Sequence, residues 1–137
     1  MIGGIKLDEL YEKKVKCPVC GIEFVTSKVR TSRAKVIKRD ADFFTYYEGE
    51  NPIKYSVFVC PEGYSAMENK FKKVSSDKKK IIKDQISSRW VKKDYSGIRT
   101  IDDSIEVYKL ALYCGELTNI SKLDLGNICI RIAWLNR

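Results

Sequence analysis

The first sixty residues carry the hydrophobic pattern of short β-strands. Segments 22–26 and 34–38 are rich in β-branched and aromatic side chains with partial alternation, and segment 55–59 alternates strongly. The aromatic segment 42–47 is expected to lie in the core, because a small β module has little else to bury. We therefore predict a β-rich module over residues 1–64.

Beyond this module the hydrophobic period changes to that of amphipathic helices. Ser65 and Glu68 have the spacing of a capping box, in which a hydroxyl and a carboxylate bond the free N–H groups of a helix start. Ser75, Thr100 and Ser121 mark three further helix starts. The pattern predicts an α+β chain in which antiparallel helical hairpins follow the β-rich module.

The helix that starts at Thr100 has one predicted buried stripe. Its members recur at helical spacing and are Ile101, Ile105, Tyr108 and Leu112. Gly115 is predicted to end this helix, because glycine commonly stands just past a helix C-terminus.

The last predicted helix is apolar on more than one side. Gly126, Cys129 and Ala133 lie on one face, where small residues would let a neighbouring helix approach closely. Further apolar residues that need cover are Ile128, Ile132, Trp134 and Leu135. Because a helix this apolar should have a partner on both sides, we expect the helical region 65–137 to be incomplete at its C-terminus. We also expect self-association through this helix.

The composition narrows the class of protein. About 44% of the residues are hydrophobic, which is too apolar for a disordered tail. The longest apolar runs are far shorter than the ~20 residues that cross a bilayer. Residues 1–14 contain charges and no apolar core of a signal peptide. We therefore expect a cytoplasmic protein without membrane contact, whose five cysteines are thiols or metal ligands rather than disulfides.

The chain contains no histidine, which removes several kinds of chemistry. Histidine general bases, Cys-His and Ser-His nucleophile pairs and imidazole zinc sites are all excluded. The carboxylates are scattered or cap helices, and no phosphate-binding glycine loop is present. We therefore expect no enzymatic activity. The alternative is a metal-dependent enzyme, which would need a cysteine-bound metal with an open coordination position.

The segment Cys17-Pro18-Val19-Cys20-Gly21 is the most specific local motif. Two residues between the cysteines and a turn closed by glycine point both sulfurs and several backbone N–H groups at one place, as in a zinc knuckle. A redox disulfide is the competing use of this spacing, but it usually begins a helix of a βαβ unit. Because the motif lies between predicted strands, we favour a knuckle.

Cys60 occupies a similar Cys-Pro turn that contains only one cysteine. A structural zinc site needs four ligands, so Cys17, Cys20 and Cys60 leave one position to fill. Glu62, a water molecule, Cys114 or Cys129 are the candidates for that position. A degenerate turn that binds no metal remains the alternative, and Cys114 and Cys129 are otherwise expected to be small buried hydrophobes.

The net charge of +8, from 26 basic and 18 acidic residues, raises the question of an anionic partner. One hypothesis is a nucleic-acid-binding module whose phosphate-facing residues are Lys28, Arg30, Arg33, Lys35, Lys38 and Arg39. The other interpretation is a solvated lysine-rich surface, and runs such as 78–80, with acidic neighbours and no interleaved aromatic residue, favour it.

The motifs in combination resemble an uncharacterised bacterial family of unknown function, DUF2225. The segments that carry the resemblance are 10–20, 29–32, 38–43, 46–47, 51–52, 59–61 and 63–66. That family's pattern has a second Cys-Pro-x-Cys-Gly motif, whereas this chain lacks the second cysteine after Cys60.

The resemblance implies a zinc-ribbon-like N-terminus followed by helices like those of tetratricopeptide repeats. Residues 104–112 are similar to the second helix of such a repeat, and residues 128–135 to the start of the next. Stacked helix pairs present a concave face to a partner. We therefore expect a scaffold for protein–protein interaction with an unidentified protein partner.

Overall fold

The structure, a computed structural model, describes residues 9–30 and 35–136. The predicted α+β class is confirmed: within this part of the chain, three antiparallel β-hairpins are accompanied by three α-helices. The elements are β1 (Leu10–Lys16), β2 (Glu23–Val29), β3 (Lys35–Arg39), β4 (Thr45–Glu48), β5 (Val57–Val59), β6 (Ser65–Met67), α1 (Ser76–Gln85), α2 (Ile101–Leu117) and α3 (Lys122–Leu135).

Each hairpin pairs two strands that are neighbours in the chain. β1 and β2 pair from Leu10 opposite Val29 to Lys16 opposite Glu23, so their turn holds the first cysteine motif. β3 pairs with β4 through an irregularity between Val36 and Lys38. Isolated two-stranded hairpins are marginally stable, so the helices must supply most of the covering surface.

Residues 65–67 form strand β6 and do not begin a helix, so the predicted capping box is wrong. β6 pairs with β5, and Ser65 lies opposite Val59. The Ser65 hydroxyl donates to the carbonyl of Gly63 at 3.2 Å, and the carboxylate of Glu68 bonds Lys13 and Lys28. Both side-chain groups that a cap would need are therefore bonded elsewhere.

The other three helix starts lie where the sequence places them. Ser75, Thr100 and Ser121 each accept a hydrogen bond from the backbone N–H three residues on. Thr100 and Asp103 form a reciprocal capping box, since the Asp103 carboxylate also accepts from the N–H of Thr100 at 3.1 Å. Hydroxyl caps are local in sequence, which is why they were predictable.

Helix α2 buries a different stripe from the predicted one, and it continues past Gly115. Ile101 is exposed and Tyr108 is fully buried. The buried face consists of Ser104, Val107, Tyr108, Ala111, Cys114 and Gly115. A Cβ on Gly115 would lie 2.5 Å from the side chain of Ile120, so this glycine allows the chain after α2 to return closely and does not end the helix.

Two clusters of buried side chains join the hairpins to the helices. The central core consists of Val57, Val59, Tyr95, Val107, Tyr108, Ala111, Ile128 and Leu135. The cysteine-side core consists of Cys17, Val19, Cys60, Tyr64, Ile82, Ile86 and Cys114. Both clusters take members from each side of residue 64, so the division into units 1–64 and 65–137 stays a prediction.

The aromatic segment 42–47 lies outside both cores, so the prediction that it is core is wrong. Phe43 is 75% exposed, and Phe44 is half-buried between Tyr46 at 4.8 Å and Trp134 at 5.8 Å, measured between ring centroids. The physical reason is that the segment belongs to the β3–β4 hairpin, whose strand β3 is exposed along its whole length.

Candidate metal centre

The turn between β1 and β2 is built by two backbone hydrogen bonds around Cys17. Its N–H donates to the carbonyl of Ile22 at 2.9 Å, and its carbonyl accepts from the N–H of Gly21 at 2.9 Å. Gly21 has a φ of +77°, a conformation that glycine adopts without a steric penalty. The turn therefore places Cys17 and Cys20 on the same tight loop.

The turn between β5 and β6 repeats this pattern with one residue fewer. The N–H of Cys60 donates to the carbonyl of Tyr64 at 2.8 Å, and its carbonyl accepts from the N–H of Gly63 at 2.8 Å. Gly63 also has a positive φ, +108°. Gly63 and Tyr64 thus take the places of Gly21 and Ile22. The absent cysteine is therefore a one-residue deletion and not a replacement.

The structure brings the sulfurs of Cys17, Cys20 and Cys60 together. All three lie within 4.8 Å of one another, and the Sγ atoms of Cys20 and Cys60 are 3.4 Å apart. A tetrahedral zinc ion with Zn–S bonds of about 2.3 Å holds its sulfurs roughly 3.8 Å apart. The spacing of the three sulfurs therefore fits a single thiophilic ion.

Two of the sulfurs accept backbone hydrogen bonds of the kind that knuckles provide. The N–H of Val19 donates to Sγ of Cys17 at 3.4 Å, and the N–H of Glu62 donates to Sγ of Cys60 at 3.3 Å. Such donors stabilise thiolate charge. Cys17 and Cys60 are buried whereas Cys20 is exposed, so one side of the cluster meets solvent.

The pKa values of the two buried thiols shift in opposite directions because their side chains are in hydrogen-bond contact. A hydrogen bond from Cys60, opposed by burial, lowers the pKa of Cys17 to about 6. The same contact together with burial raises the pKa of the Cys60 thiol. Thiolate, not thiol, is the metal ligand, and a lowered pKa favours the thiolate form of Cys17.

None of the three side chains predicted as the fourth ligand joins the cluster. Within the described residues, the group of cysteine and carboxylate ligand atoms that lie close together ends at three. The carboxylate of Glu62 forms an ion pair with Nζ of Lys92, with an O–N distance of 3.2 Å. Cys114 is buried in the cysteine-side core, where burial raises its pKa to about 11, and Cys129 is exposed on α3.

A family model described as "Uncharacterized protein conserved in bacteria (DUF2225)" matches residues 10–137. The chain belongs to this family. The resemblance stated from the sequence motifs is thereby confirmed. No curated protein and no solved structure matches the chain. Membership of the DUF2225 family brings no activity with it, so function must be argued from the site.

In this DUF2225 chain the predicted nucleic-acid residues are spread over two hairpins. Lys28 on β2 is paired with the carboxylate of Glu68, and Arg30 lies over the ring of Tyr11. Strand β3 exposes Lys35, Lys38 and Arg39, of which Lys38 lies 4.7 Å from the ring centre of Tyr46. Arg33 lies outside the described residues.

Arg99 is a buried charge that the sequence interpretation missed. Its side chain donates to the carbonyls of Tyr95 at 3.0 Å, Lys54 at 3.0 Å and Val57 at 2.9 Å. Only 2% of the residue is exposed, and burial lowers the pKa of its guanidinium. A single arginine before a helix cap gives no local signal, because two of its three carbonyl partners, those of Lys54 and Val57, are distant in sequence.

No helix in the described ranges combines the length and the apolar character that crossing a bilayer requires.

Proposed function

We propose that the protein is a non-enzymatic protein–protein interaction module whose fold is stabilised by one zinc ion at Cys17, Cys20 and Cys60. The proximity of the three sulfurs supports the metal site. An exposed apolar stripe on α3, described below, supports the interaction role. The two parts rest on separate observations, so each has its own test.

The ion would act as a cross-link between two turns. Cys20 and Cys60 are 40 positions apart in the chain, and their hairpins share no backbone ladder. Cys17 and Cys60 also pack among Ile82 and Ile86, next to helix α1. Metal binding at such a junction contributes directly to folding free energy. Water would complete the coordination on the solvent side, where Cys20 is exposed.

The interaction surface is a stripe on α3 that turns away from the central core. It consists of Leu123, Gly126, Ile130 and Ala133, named here the α3 outer stripe. All four are exposed, Leu123 by 75% and Ile130 by 42%. Their spacing of three, four and three residues is that of a coiled-coil seam. A neighbouring helix would cover them.

The partner that the stripe fits is a second copy of this chain. In an antiparallel pair of α3 helices, Leu123 of one copy faces Ala133 of the other, and Ile130 faces Gly126. Each large side chain then meets a small one, which allows the close packing that an interface core needs. A two-fold axis makes the same patch complementary to itself.

The hairpin of α2 and α3 supports a repeat-like interpretation of the helical region. The two helices are in contact and are joined by the short segment 118–121. Short connections join antiparallel neighbours in helical bundles and repeats. We therefore propose that α2 and α3 form a tetratricopeptide-like pair, whose further stacking would use the α3 outer stripe.

Sedimentation velocity over a concentration series tests the interaction role. The unaltered chain should show a concentration-dependent dimer, and the double variant Leu123→Glu and Ile130→Glu should remain monomeric. The matched control is Val36→Glu with Val91→Glu, which adds the same charges at exposed apolar positions elsewhere. A monomeric unaltered chain at high concentration, or equal loss of dimer in the control, would contradict the proposal.

Nucleic-acid binding through β3 is the second candidate function. The observation that favours it is the full exposure of this strand together with Lys35, Lys38 and Arg39. Phosphate contacts release counterions, so affinity for DNA or RNA should fall steeply with salt. Replacing these three residues with glutamine should remove such binding. An affinity that changes neither with salt concentration nor with these substitutions would exclude β3 as a nucleic-acid interface.

A further inference from the structure

A cleft of about 250 Å³ lies between the segment that follows β6 and helices α2 and α3. It is separate from the three-cysteine cluster. Asn127 and Arg131 of α3 line it, and they lie on the helix face next to the α3 outer stripe. Its apolar lining consists of Ala66, Met67, Val74, Ala111, Cys114, Ile120 and Ile128.

The rim of this cleft is strongly basic. Its charged residues are Lys70, Lys72, Lys73, Lys78 and Arg131, with Asp124 as the carboxylate. Asp124 is already paired with Lys70 at 3.4 Å. Within the described residues no carboxylate pairs with Lys72, Lys73 or Lys78. The mouth of the cleft therefore has an excess of positive charge around an apolar interior.

Two of the hydroxyl groups inside the cleft already donate hydrogen bonds to the backbone. Thr118 donates to the carbonyl of Cys114 at 2.8 Å, and Ser65 donates to the carbonyl of Gly63 at 3.2 Å. Neither of these two hydroxyl protons is therefore free for a ligand. The interior suits hydrocarbon, and the rim suits an anion.

We propose that this cleft binds a small carboxylic acid with an unbranched apolar chain, the carboxylate lying among Lys72, Lys73 and Lys78. A packed group the size of a water molecule occupies about 30 Å³, so the cleft holds roughly eight such groups. A chain of about eight carbons fits this space. A bare anion would leave the apolar floor uncovered.

Calorimetric titration with a series of straight-chain acids tests the size and the charge of the ligand. From butanoate to octanoate, affinity should rise about three- to fourfold per methylene group, and it should level off near eight to ten carbons. Acetate and octylammonium should not bind. Equal affinity for acetate and octanoate would overturn the proposal, and so would binding of octylammonium as tight as that of octanoate.

A charge variant and a matched control locate the site. Lys72→Gln, Lys73→Gln and Lys78→Gln together should weaken octanoate binding by about tenfold, since each exposed charge contributes modestly. The control changes Lys80, Lys83 and Lys109 to glutamine, which removes the same charge from exposed positions outside the cleft. The control should bind like the unaltered protein. Equal weakening in both variants would mean unspecific attraction to a basic protein and would reject the site.

Amide chemical shifts provide the second readout. Octanoate should shift the signals of Ala66, Ala111 and Ile128, which line the cleft, and leave those of the β3–β4 hairpin unchanged. Shifts confined to the α3 outer stripe would show adsorption to the exposed apolar face and would contradict the proposal. If inorganic phosphate or a short oligothymidylate shifted the same signals as strongly, the lysines would form a phosphate site instead.

Discussion

Arg99 connects the segment before α2 to the β5 hairpin through its side chain. Its three carbonyl partners belong to Tyr95, Lys54 and Val57, and its own N–H donates to the hydroxyl of Tyr55 at 3.1 Å. The charged donor thereby satisfies acceptors that no strand ladder reaches. Such acceptors would be costly to leave unbonded in the interior.

We expect Arg99→Met to reduce the free energy of unfolding by about 2–4 kcal/mol, because it leaves those carbonyls without a donor. Urea denaturation monitored by circular dichroism measures the change. Arg89→Met, at an exposed position, is the control and should alter stability by less than about 0.5 kcal/mol. Similar midpoints for the two variants would show that the buried guanidinium is dispensable.

Two glycines should respond to alanine in opposite directions. Gly63 has a φ of +108°, and a Cβ there would lie 2.8 Å from Ile86 and 3.0 Å from Trp90. Gly63→Ala should therefore destabilise the fold by more than about 1 kcal/mol. Gly126→Ala meets nothing within 4 Å on the exposed face of α3 and should stabilise it by up to about 1 kcal/mol. Thermal unfolding at low protein concentration, where the chain is monomeric, compares them; stabilisation by Gly63→Ala would contradict the turn geometry.

At the scale of elements, the two cysteine turns differ by one residue, which makes the missing ligand restorable. A cysteine inserted between Glu62 and Gly63 recreates the longer turn and keeps both Gly63 and its hydrogen bond in register with Gly21. We expect a fourth thiolate and a zinc-dependent gain of about 1–2 kcal/mol, seen as a rise of roughly 3–10 °C in Tm.

The control for this insertion is the substitution Gly63→Cys. It supplies the same thiol but forces a side chain against Ile86 and Trp90, so it should lower Tm with or without zinc. If the substitution stabilised the protein as well as the insertion did, the interpretation of the second turn as a one-residue deletion would be wrong.

Local signals explain which elements were predictable from the sequence. Ser75, Thr100 and Ser121 cap helices through atoms three residues away, so the prediction needs no tertiary information. Ser65 offers the same pattern but lies in β6, because pairing with β5 is a non-local contact. Gly115 stays helical, and Asn119, with a φ of +57°, takes the left-handed position after the helix instead.

In the candidate site, too, local signals were predictable from the sequence and non-local contacts were not. Cys17 and Cys20 are marked by their spacing, and Cys60 by the similarity of its turn, so the three-thiol set was predicted before the fold was known. The Glu62 carboxylate forms an ion pair with Lys92 instead of joining the thiols. This contact was not predictable, because Lys92 is distant in sequence. The basic cleft is built from three separate segments, and no sequence window contains it.

At the scale of the whole molecule, the three thiols lie where the β1–β2 hairpin, the β5–β6 hairpin and the helices meet. The cysteine-side core includes Ile82 of α1 and Cys114 of α2 beside Cys17 and Cys60. An ion at this junction would hold together hairpins that share side-chain contacts and no strand ladder. We therefore propose that the stability of the whole fold depends on the zinc ion.

Native mass spectrometry of the reduced protein, purified without chelator, tests this claim most directly. We expect one zinc ion per chain in the unaltered protein and in Cys114→Ser and Cys129→Ser. We expect loss of zinc in Cys17→Ser, Cys20→Ser and Cys60→Ser, since each removes one of three ligands that lie within 4.8 Å of one another. A metal-free unaltered protein, or zinc that survives loss of Cys60 but not of Cys114, would contradict it.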